Sequence, residues 1–303
     1  AEDIDGVEVP VVTTSGQYRY LGQLVVGFDR YGNVIHIDKE RSKPIRVLSG
    51  DFDDSVQPDR KMQRNVVDPV EDFVADLAAT VIATSEVELD GRRNSVRFVE
   101  TNEGNLIADA LLWQARLSAP EFDAPLADVA MQNGGGIRND SIIAAGNITE
   151  LDTFDMVPFP NFVTVIPDIP YSQFKDILEN AVSRIEPPAA EGGSGRFAQI
   201  SGFSFVFDPN QTPMLIDIDG TVLQQGSRVK EVVLDDGTEI VSNFVVLNPD
   251  DTLNIATIDF LARGGDQYPF GNAPFIVLGV SYQQALSNYI QDLNGLDGLI
   301  SAE

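Results

Sequence analysis

Apolar residues recur at helical spacing in four stretches of the chain, and each stretch predicts an amphipathic helix. The predicted helices run from Pro69 through Val81, from Gly104 to Leu117, from Tyr171 to Ile185 and from Ser281 to Leu293. Asp68 is the expected N-cap of the first helix, and Glu71 is placed to close a capping box with it. Trp113 shares the apolar face of the second helix with Leu106, which favours a core position for this ring.

Runs of alternating or β-branched apolar residues predict strands between these helices. The predicted strands lie at Ser95–Glu100, Ala127–Met131, Phe203–Phe207, Glu231–Leu234 and Glu239–Leu247. A hairpin turn at Asp235-Asp236-Gly237 is expected to join the last two. The stretch from Pro187 to Gly195 is rich in Pro, Gly and Ala and is expected to be a loop that borders a binding site. The mixture of helices and strands indicates an α+β domain.

The segment Asn133-Gly134-Gly135-Gly136-Ile137-Arg138 follows one of these strands directly. Its three glycines leave the backbone without side chains, permit positive φ and let main-chain N–H groups approach a ligand. Arg138 can bind phosphate oxygens with its planar fork, so the segment suits an anion. A tight turn after the strand explains the same glycines equally well.

An aromatic ring and a carboxylate stand close together in the stretch from Thr257 to Tyr268. Phe260 precedes Asp266 by six positions, and the pair Gly264-Gly265 lies between them to turn the chain. A flat apolar ring can stack on a base, and a carboxylate can accept both hydroxyl protons of a ribose.

A second aromatic segment is Val157-Pro158-Phe159-Pro160-Asn161. The prolines on either side of Phe159 hold the backbone extended and can present the ring outward. Asn161 adds an amide beside the ring. Together with the other two segments, this one predicts a nucleotide-binding surface.

At these residues the chain resembles the C-terminal substrate-binding domain of the 5'-nucleotidase family, which includes the bacterial periplasmic UDP-sugar hydrolases and the ecto-5'-nucleotidases. The resemblance runs from about Asp90 to the C-terminus in the same order. It is carried by Arg92-Arg93-Asn94-Ser95-Val96-Arg97, Glu100–Ala110, the glycine triplet, Pro158-Phe159-Pro160-Asn161, Ser201-Gly202-Phe203 and Asp259–Tyr268. It implies a layered α/β/β/α fold with mixed sheets.

The resemblance also implies a role for each site residue. Phe159 and Phe260 would sandwich the base, and Asn161 would hydrogen-bond it. Asp266 would hold the ribose hydroxyls. The remaining members of the expected substrate-binding set are Arg93, Arg97 and Arg138, which would hold the phosphates, and Asn133, Gly134 and Gly135 of the glycine turn.

Two positions depart from the family pattern. Gln267 stands where a glycine is usual, and Pro160 stands where a glycine is common. Either side chain could narrow the site, so the preferred nucleotide stays open.

In that family the hydrolytic chemistry belongs to a preceding metallophosphatase domain, whose metal pair is held by Asp-x-His, Asn-His-Glu and Gly-His-x-His motifs. This chain has one histidine and no cysteine, so a nitrogen- or sulfur-rich dimetal site cannot be assembled from it. His36 lies in the alternating run Asn33–Asp38 and is expected to be a solvent-facing strand residue. We therefore expect no catalytic or metal-binding residue here, an inactive chain, and a divalent metal pair in the missing catalytic domain.

The N-terminal residues fit this interpretation. The stretch from Ser15 to Asp29 resembles the closing strands of the metallophosphatase domain. The expected organisation is a remnant of that domain at 1–48, a linker with a connecting helix at 49–85 and a nucleotide-binding domain at 86–303. The chain would then be the C-terminal piece of a longer protein.

The chain carries a formal charge of −27, and its basic residues are 15 Arg and 5 Lys. An acidic surface keeps a secreted protein hydrated and is unfavourable for DNA or an anionic membrane. The overall negative field also repels a phosphate ester, so a local cluster such as Arg92–Arg97 is needed to reverse the potential in a cleft. The alternative is that these arginines form only a turn before the strand Ser95–Glu100.

Two acidic clusters have carboxylates at alternate positions, as calcium loops do. They are Asp51-Phe52-Asp53-Asp54 and Asp217-Ile218-Asp219-Gly220. Neither continues with the ligands of an EF-hand, and a solvated loop and a hairpin turn are the favoured interpretations.

The sequence therefore predicts the nucleotide-recognition domain of a periplasmic or extracellular 5'-nucleotidase-like metallophosphohydrolase. Its expected partners are a nucleotide or nucleoside and the N-terminal metallophosphatase domain of the same protein, with neither nucleic acid nor membrane. Two alternatives stay open. One is a non-catalytic nucleotide-binding module of a larger surface protein, and the other is an acidic structural domain with a degenerate site.

Overall fold

The computed structural model describes residues 2, 4, 6, 8–186, 194–217, 220–296 and 299–300. The chain divides into two compact units, Ala1–Phe73 and Val74–Glu303. The predicted domain boundaries at residues 48 and 85 remain predictions. No helix of the described residues is long and apolar enough to cross a membrane.

The first unit contains two small antiparallel pairs of strands. Its strands are β1 (Tyr20–Gln23), β2 (Val26–Phe28), β3 (Val34–Ile37) and β4 (Lys43–Arg46), with β1 paired to β4 and β2 paired to β3. His36 is exposed on β3 opposite Gly27, so the predicted solvent-facing position is confirmed. The cluster from Asp51 to Asp54 is an exposed loop, as favoured.

A helical run joins the two units. It consists of α1 (Arg60–Met62), a π-helical segment (Gln63–Val67) and α2 (Asp68–Ala79). The predicted N-cap at Asp68 is wrong, because the side chain of Asp59 caps the run by accepting from the backbone N–H of Lys61 and Met62. Asp68 itself has helical φ and ψ. Pro69 has no N–H to donate, which is the physical reason for the wider π turn before it.

The apolar stripe of this run is largely exposed. Val70, Phe73 and Val74 are exposed and Leu77 is half-buried. Val81, the expected end of the stripe, lies instead in a strand. The prediction of a helix through Val81 was therefore two residues too long.

The second unit contains the remaining strands and helices. Its strands are β5 (Val81–Ser85), β6 (Leu89–Asp90), β7 (Val129–Asn133), β8 (Ile142–Ile143), β9 (Gly146–Thr149), β10 (Phe162–Pro170), β11 (Ala198–Ser201), β12 (Phe203–Phe207), β13 (Leu215–Ile216), β14 (Val222–Gln224), β15 (Val229–Leu234), β16 (Glu239–Ser242), β17 (Val245–Val246), β18 (Thr252–Ile258), β19 (Ile276–Ser281) and β20 (Leu299–Ile300). Its helices are α3 (Arg93–Val96), α4 (Asn102–Ser118), α5 (Glu150–Met156), α6 (Tyr171–Ala181), α7 (Asp259–Ala262) and α8 (Tyr282–Leu296).

A five-stranded mixed sheet with the order β11-β7-β18-β10-β19 forms the centre of this unit. Strands β7 and β18 are parallel, and the other neighbours are antiparallel. A four-stranded antiparallel sheet, β12-β15-β16-β17, continues from β11 through Gly202, whose φ is +87°. The predicted α+β class with mixed sheets is confirmed.

Helices α4 and α8 pack together and bury the apolar faces that their periodicity predicts. Thr101 caps α4, its hydroxyl accepting from the N–H of Gly104 at 3.0 Å. Trp113 is half-buried against Tyr289, with 5.7 Å between ring centroids. The predicted core position is therefore met only in part, because the ring is half-buried and packs against Tyr289.

Two strand predictions are wrong. Residues 95–100 form the end of α3 and a turn, because the amide of Gln199 donates to the carbonyls of Val96 and Val99 and no strand pairs with them. The predicted strand Glu239–Leu247 is interrupted, since Asn243 and Phe244 have positive φ and reverse the chain between β16 and β17.

Other predictions hold or lie outside the described residues. Strand β12 has the predicted bounds, and the turn at residues 235–237 joins β15 to β16 with Gly237 at a φ of +89°. The second acidic cluster joins β13 to β14 through the hydrogen bond from Gly220 N–H to Asp217 O, which fits a hairpin turn, although residues 218 and 219 lie outside the described set. Most of the predicted loop at 187–195 also lies outside it.

Glu179 connects α6 to the four-stranded sheet. Its carboxylate is fully buried, lies 2.7 Å from Lys175 Nζ, and accepts from the N–H groups of Arg228 at 2.8 Å and Val229 at 2.9 Å. Removal of this side chain leaves a lysine and two backbone donors without their acceptor.

We expect Glu179→Ala to lower the free energy of unfolding by about 3–5 kcal/mol, because it removes one partner from a buried charge network. Glu231→Ala is the matched control, since Glu231 forms an exposed pair with Lys230 and should change stability by about 0.5 kcal/mol or less. Urea unfolding followed by the fluorescence of the single tryptophan, Trp113, reports on this unit. Equal effects of the two substitutions would contradict the assignment.

Candidate functional site

The glycine turn follows β7 as a single 3₁₀ turn, Gly134–Gly136. A Cβ atom on Gly134 would lie 2.1 Å from the carbonyl oxygen of Val96, and one on Gly136 would lie 2.1 Å from Nε2 of Gln132. None of the three glycines has a positive φ. Close approach, not left-handed geometry, therefore favours glycine here, with backbone of Val96 against Gly134 and the side chain of Gln132 against Gly136.

The N–H groups of this turn are partly occupied. Gly134 N–H donates to Phe197 O at 2.7 Å, and Gly135 N–H donates to Gly195 O at 2.8 Å. The expectation that these amides bind an anion is therefore wrong for these two residues. Their hydrogen bonds instead fix the turn against the segment that precedes β11.

The turn that carries Asp266 is built around Phe260. A Cβ atom on Gly265 would lie 2.5 Å from the Phe260 ring, and Gly264 has a φ of +87°. Asp266 itself has a φ of +51°, which directs its carboxylate toward the glycine turn. There Nδ2 of Asn133 donates to Oδ2 of Asp266 at 2.6 Å. Oδ1 of Asp266 accepts no hydrogen bond from the part of the chain that is described.

Tyr282 fixes the segment that carries Phe159. Its buried hydroxyl accepts from the N–H of Phe159 at 3.0 Å and donates to the carbonyl of Gly136 at 3.3 Å. Asn161, on the same segment, donates from Nδ2 to Oδ1 of Asp259 at 3.1 Å. In the part of the chain that is described, the side-chain oxygen of Asn161 accepts no hydrogen bond. Sequence patterns gave no indication of Tyr282, because its contacts are more than a hundred residues away along the chain.

These segments enclose one open cavity of about 550 Å³, which we call the aromatic cavity. It is lined by Arg97, Asn133, Gly135, Gly136, Arg138, Phe159, Pro160, Asn161, Gly195, Ile258, Phe260 and Asp266. Both phenylalanine rings are about two-fifths exposed and do not contact one another in the described part of the chain. A flat ligand could therefore contact both of them.

Most of the predicted site residues meet at this cavity. Two do not line it. Gly134, the first residue of the turn, packs against the backbone of Val96. Arg93 lines an adjoining cavity with Arg92, Asn94, Ser95 and Asp140.

Four lining residues were not predicted. Gly136 and Pro160 belong to motifs already identified, and Ile258 directly precedes the predicted Asp259 segment. Gly195 falls within the predicted loop at 187–195. Of the two family departures, Pro160 lines the cavity and Gln267 does not.

Positive charge collects at one end of the aromatic cavity. Arg138 lies over the Phe159 ring, with 4.9 Å from Cζ to the ring centroid. Arg97 is buried, and its Nε has no hydrogen-bond partner among the described residues. Burial lowers the pKa of Arg97, and the charges of Arg93 and Arg138 lower it further. An unpartnered donor among like charges is suited to an anion.

A buried carboxyl supports the segment after Arg138. Glu103 is fully buried on α4, and its Oε2 accepts from Nδ2 of Asn139 at 3.0 Å. Within the described ranges, Oε1 of Glu103 and Oδ1 of Asn139 have no hydrogen-bond partner, and a Cβ atom on Gly91 would lie 2.3 Å from the first and 2.2 Å from the second. A proton on Oε1 would let it donate to Oδ1. Burial raises the pKa of Glu103 to about 8, which supplies that proton at neutral pH.

The described residues contain no group of three or more His, Cys, Asp or Glu side chains that could hold a metal ion. The site is therefore built from aromatic, amide, carboxylate and guanidinium groups. Such groups bind and orient a ligand.

Comparison with known proteins agrees with the geometry. Residues 81–272 match the model of the family described as 5'-nucleotidase, C-terminal domain. The chain is 32% identical over 268 residues to the trifunctional nucleotide phosphoesterase protein YfkN of Bacillus subtilis, covering 88% of this chain and 16% of that protein. It is 30% identical over 266 residues to the snake venom 5'-nucleotidase of Macrovipera lebetinus, covering 87% of this chain and 59% of that protein.

A solved structure is similar over the whole chain. The 5'-nucleotidase precursor from Thermus thermophilus aligns with a TM-score of 0.62 and 26% identity, covering 100% of this chain and 52% of that one. The chain thus spans from 16% to 59% of the length of these three proteins.

We expect the stability difference between Glu103→Gln and the wild type to depend on pH. The folded-state pKa is raised, so the contribution of Glu103 is fully present below its ordinary value of 4.5 and is lost as pH rises to about 8. Over that window the wild type should lose about 3–5 kcal/mol relative to Glu103→Gln in urea unfolding. The exposed Glu100→Gln variant is the control. Parallel pH profiles for Glu103→Gln and the wild type would show that no buried proton is held.

Proposed function

Because this chain belongs to the 5'-nucleotidase C-terminal domain family, we propose that it is the nucleotide-recognition part of a phosphohydrolase that cleaves nucleotide phosphoesters. Hydrolysis is assigned to a divalent metal pair of a separate catalytic domain, where metal-activated water would attack the phosphate. This chain would supply orientation, which lowers the barrier by holding the reacting group in place. A periplasmic or extracellular location is part of the proposal and accords with the snake venom relative.

One observation carries the proposal. Two segments far apart in the sequence, one with Phe159 and the other with Phe260 and Asp266, bring these side chains to a single open cavity. Two partly exposed rings provide apolar faces for a base, and the free oxygen of a carboxylate provides an acceptor for a ribose hydroxyl. A base stacked on two rings needs no specific hydrogen bond, which suits a site that tolerates several bases.

The charge distribution supports a phosphate at the other end. Arg97 and Arg138 line the cavity, while the chain as a whole carries a charge of −27. A local positive field is needed for a phosphate ester to approach such a surface. Arg93, in the adjoining cavity, adds to the same field, since its charge lowers the pKa of Arg97.

Calorimetric titration of this chain with adenosine tests the aromatic part of the proposal. We expect Phe159→Ala and Phe260→Ala each to weaken binding about ten- to a hundredfold, because each removes one stacking face. Phe154→Ala is the matched control, since Phe154 is 38% exposed, against 39% for Phe159, and lies outside the cavity. Wild-type affinity in both cavity variants would refute the stacking role.

A titration with AMP tests the phosphate end. Hydrogen bonds to a charged group contribute about 1.5–3 kcal/mol, so Arg97→Met should reduce the preference for AMP over adenosine about tenfold or more. Arg92→Met is the control, because Arg92 already forms two hydrogen bonds with Asp90 and lies outside the aromatic cavity. An unchanged preference in Arg97→Met would show that the phosphate does not bind at this end of the cavity.

The activity of a longer form of the protein distinguishes the enzyme from the binding module. Intact Asp-x-His and Gly-His-x-His motifs with metal-dependent release of phosphate from AMP would support the hydrolase. Binding without turnover in a chain that lacks those motifs would support the module.

A further inference from the structure

The turn that carries Asp266 is held in an unfavourable backbone conformation. Asp266 and Gln267 are consecutive residues with φ of +51° and +60°, a region that residues with a Cβ atom rarely adopt, although Asp adopts it more readily than Gln. Such a conformation persists only where the surroundings over-determine it. The side chain of Gln267 supplies the first of these surroundings.

Gln267 ties the turn to two other segments. Its Oε1 accepts from Nη2 of Arg196, and its Nε2 donates to the backbone carbonyl of Asp217 at 2.8 Å and to that of Ile216 at 3.4 Å. Gln267 does not line the aromatic cavity. It therefore acts on a ligand there only through its neighbours.

Arg196 and its hydrogen-bond partners contact the turn at three of its residues. It is buried, and its Nη1 donates to Oδ1 of Asn180 at 2.8 Å and to Oγ of Ser183 at 3.2 Å. Asn180 in turn donates from Nδ2 to the backbone carbonyl of Asp266 at 3.3 Å. The hydroxyl of Tyr268 donates to the backbone carbonyl of Arg196 at 2.6 Å. Asp266 is thus linked through Asn180 to the buried guanidinium of Arg196, and Tyr268 is linked to the backbone carbonyl of the same residue.

The same segment supports the glycine turn. Gly195, adjacent to Arg196, accepts from Gly135 N–H at 2.8 Å. A Cβ atom on Gly195 would lie 3.4 Å from Oδ2 of Asp266. The carboxylate and its Asn133 partner are consequently positioned against the backbone that Arg196 fixes.

We propose that Arg196 and Gln267 are a positioning pair that sets the preference of the aromatic cavity for ribose over 2'-deoxyribose nucleosides. The pair holds Asp266 so that one carboxylate oxygen bonds Asn133 and the other stays free for sugar hydroxyls. Without the pair, the turn relaxes from its left-handed conformation and the free oxygen of Asp266 is no longer directed toward the sugar hydroxyls. The two stacking rings remain in place. This inference rests on the proposed function, in which Asp266 holds the ribose.

The test is calorimetric titration of the whole chain with adenosine and with 2'-deoxyadenosine. Arg196→Met and Gln267→Leu remove the pair with little change in volume. We expect each to reduce the preference for adenosine about fivefold or more, with 2'-deoxyadenosine bound within about twofold of the wild type. The double variant should lose less than the product of the two single losses, because both substitutions remove the hydrogen bond that the two residues share.

Two further variants sharpen the result. Gln267→Gly removes the hydrogen bonds but also relieves the strained φ, so its loss of preference should be smaller than that of Gln267→Leu. Arg184→Met is the matched control, because Arg184 is an exposed arginine whose charge acts on Arg196. It should leave the preference unchanged. If Arg196→Met does not fold, Gln267→Leu carries the test.

An equal loss of both nucleosides, or an unchanged preference, would overturn the proposal. If the wild type binds neither nucleoside, the proposed function fails, and hydrogen exchange tests the positioning pair separately. The amides of Gln267 and Tyr268 donate within the turn at 3.1 and 3.2 Å. Arg196→Met should speed their exchange about tenfold or more and Arg184→Met should not. Unchanged exchange in Arg196→Met would refute the pair on grounds independent of any ligand.

Discussion

The hydrogen bond from Asn133 to Asp266 joins the two turns on which the rest of the site depends. It spans 133 positions of sequence at 2.6 Å, so the glycine turn and the Phe260 turn must both be correctly placed before it forms. Each turn is constrained by close backbone contact, at Gly134 against Val96 and at Gly265 against Phe260. The geometry of the site is therefore a consequence of packing density around glycine, and side chains with Cβ atoms cannot reproduce it.

Electrostatics then divides the aromatic cavity. Arg97 and Arg138 repel one another across a partly desolvated surface, and Asp266 is among the charges that offset the repulsion on Arg97. Under the proposed function this division orients a nucleotide, because Asp266 disfavours a phosphate near it while the arginines attract one. The base would stack on the two rings, and this stacking does not depend on charge. Orientation and affinity thus arise from different groups.

The sequence predicts the amphipathic elements well and the buried ones poorly. Helices α4, α6 and α8 each cover one face of a sheet, so their apolar spacing is visible in the sequence. The central strands β10 and β18 were not predicted, because they are buried on both faces and show no alternation, and β10 contains two prolines and a bulge. The false strand at 95–100 has a related cause. Apolar and polar residues do alternate there, but the side chain of Gln199, about a hundred residues away, donates hydrogen bonds to the backbone carbonyls that a neighbouring strand would need.

The site shows the same division between residues that touch the cavity and residues that support it. The position of Phe159, Phe260 and Asp266 at the cavity could be predicted because these residues occur in short motifs with recognisable chemistry. Tyr282 and Arg196 could not, because their hydrogen-bond partners are not neighbours in the sequence. Tyr282 bonds backbone atoms of two distant segments, and the guanidinium of Arg196 bonds the side chains of Asn180, Ser183 and Gln267. Gln267 shows the consequence. A side chain expected from the motif alone to narrow the cavity points away from it, and the partner that draws it away is a buried guanidinium 71 positions earlier.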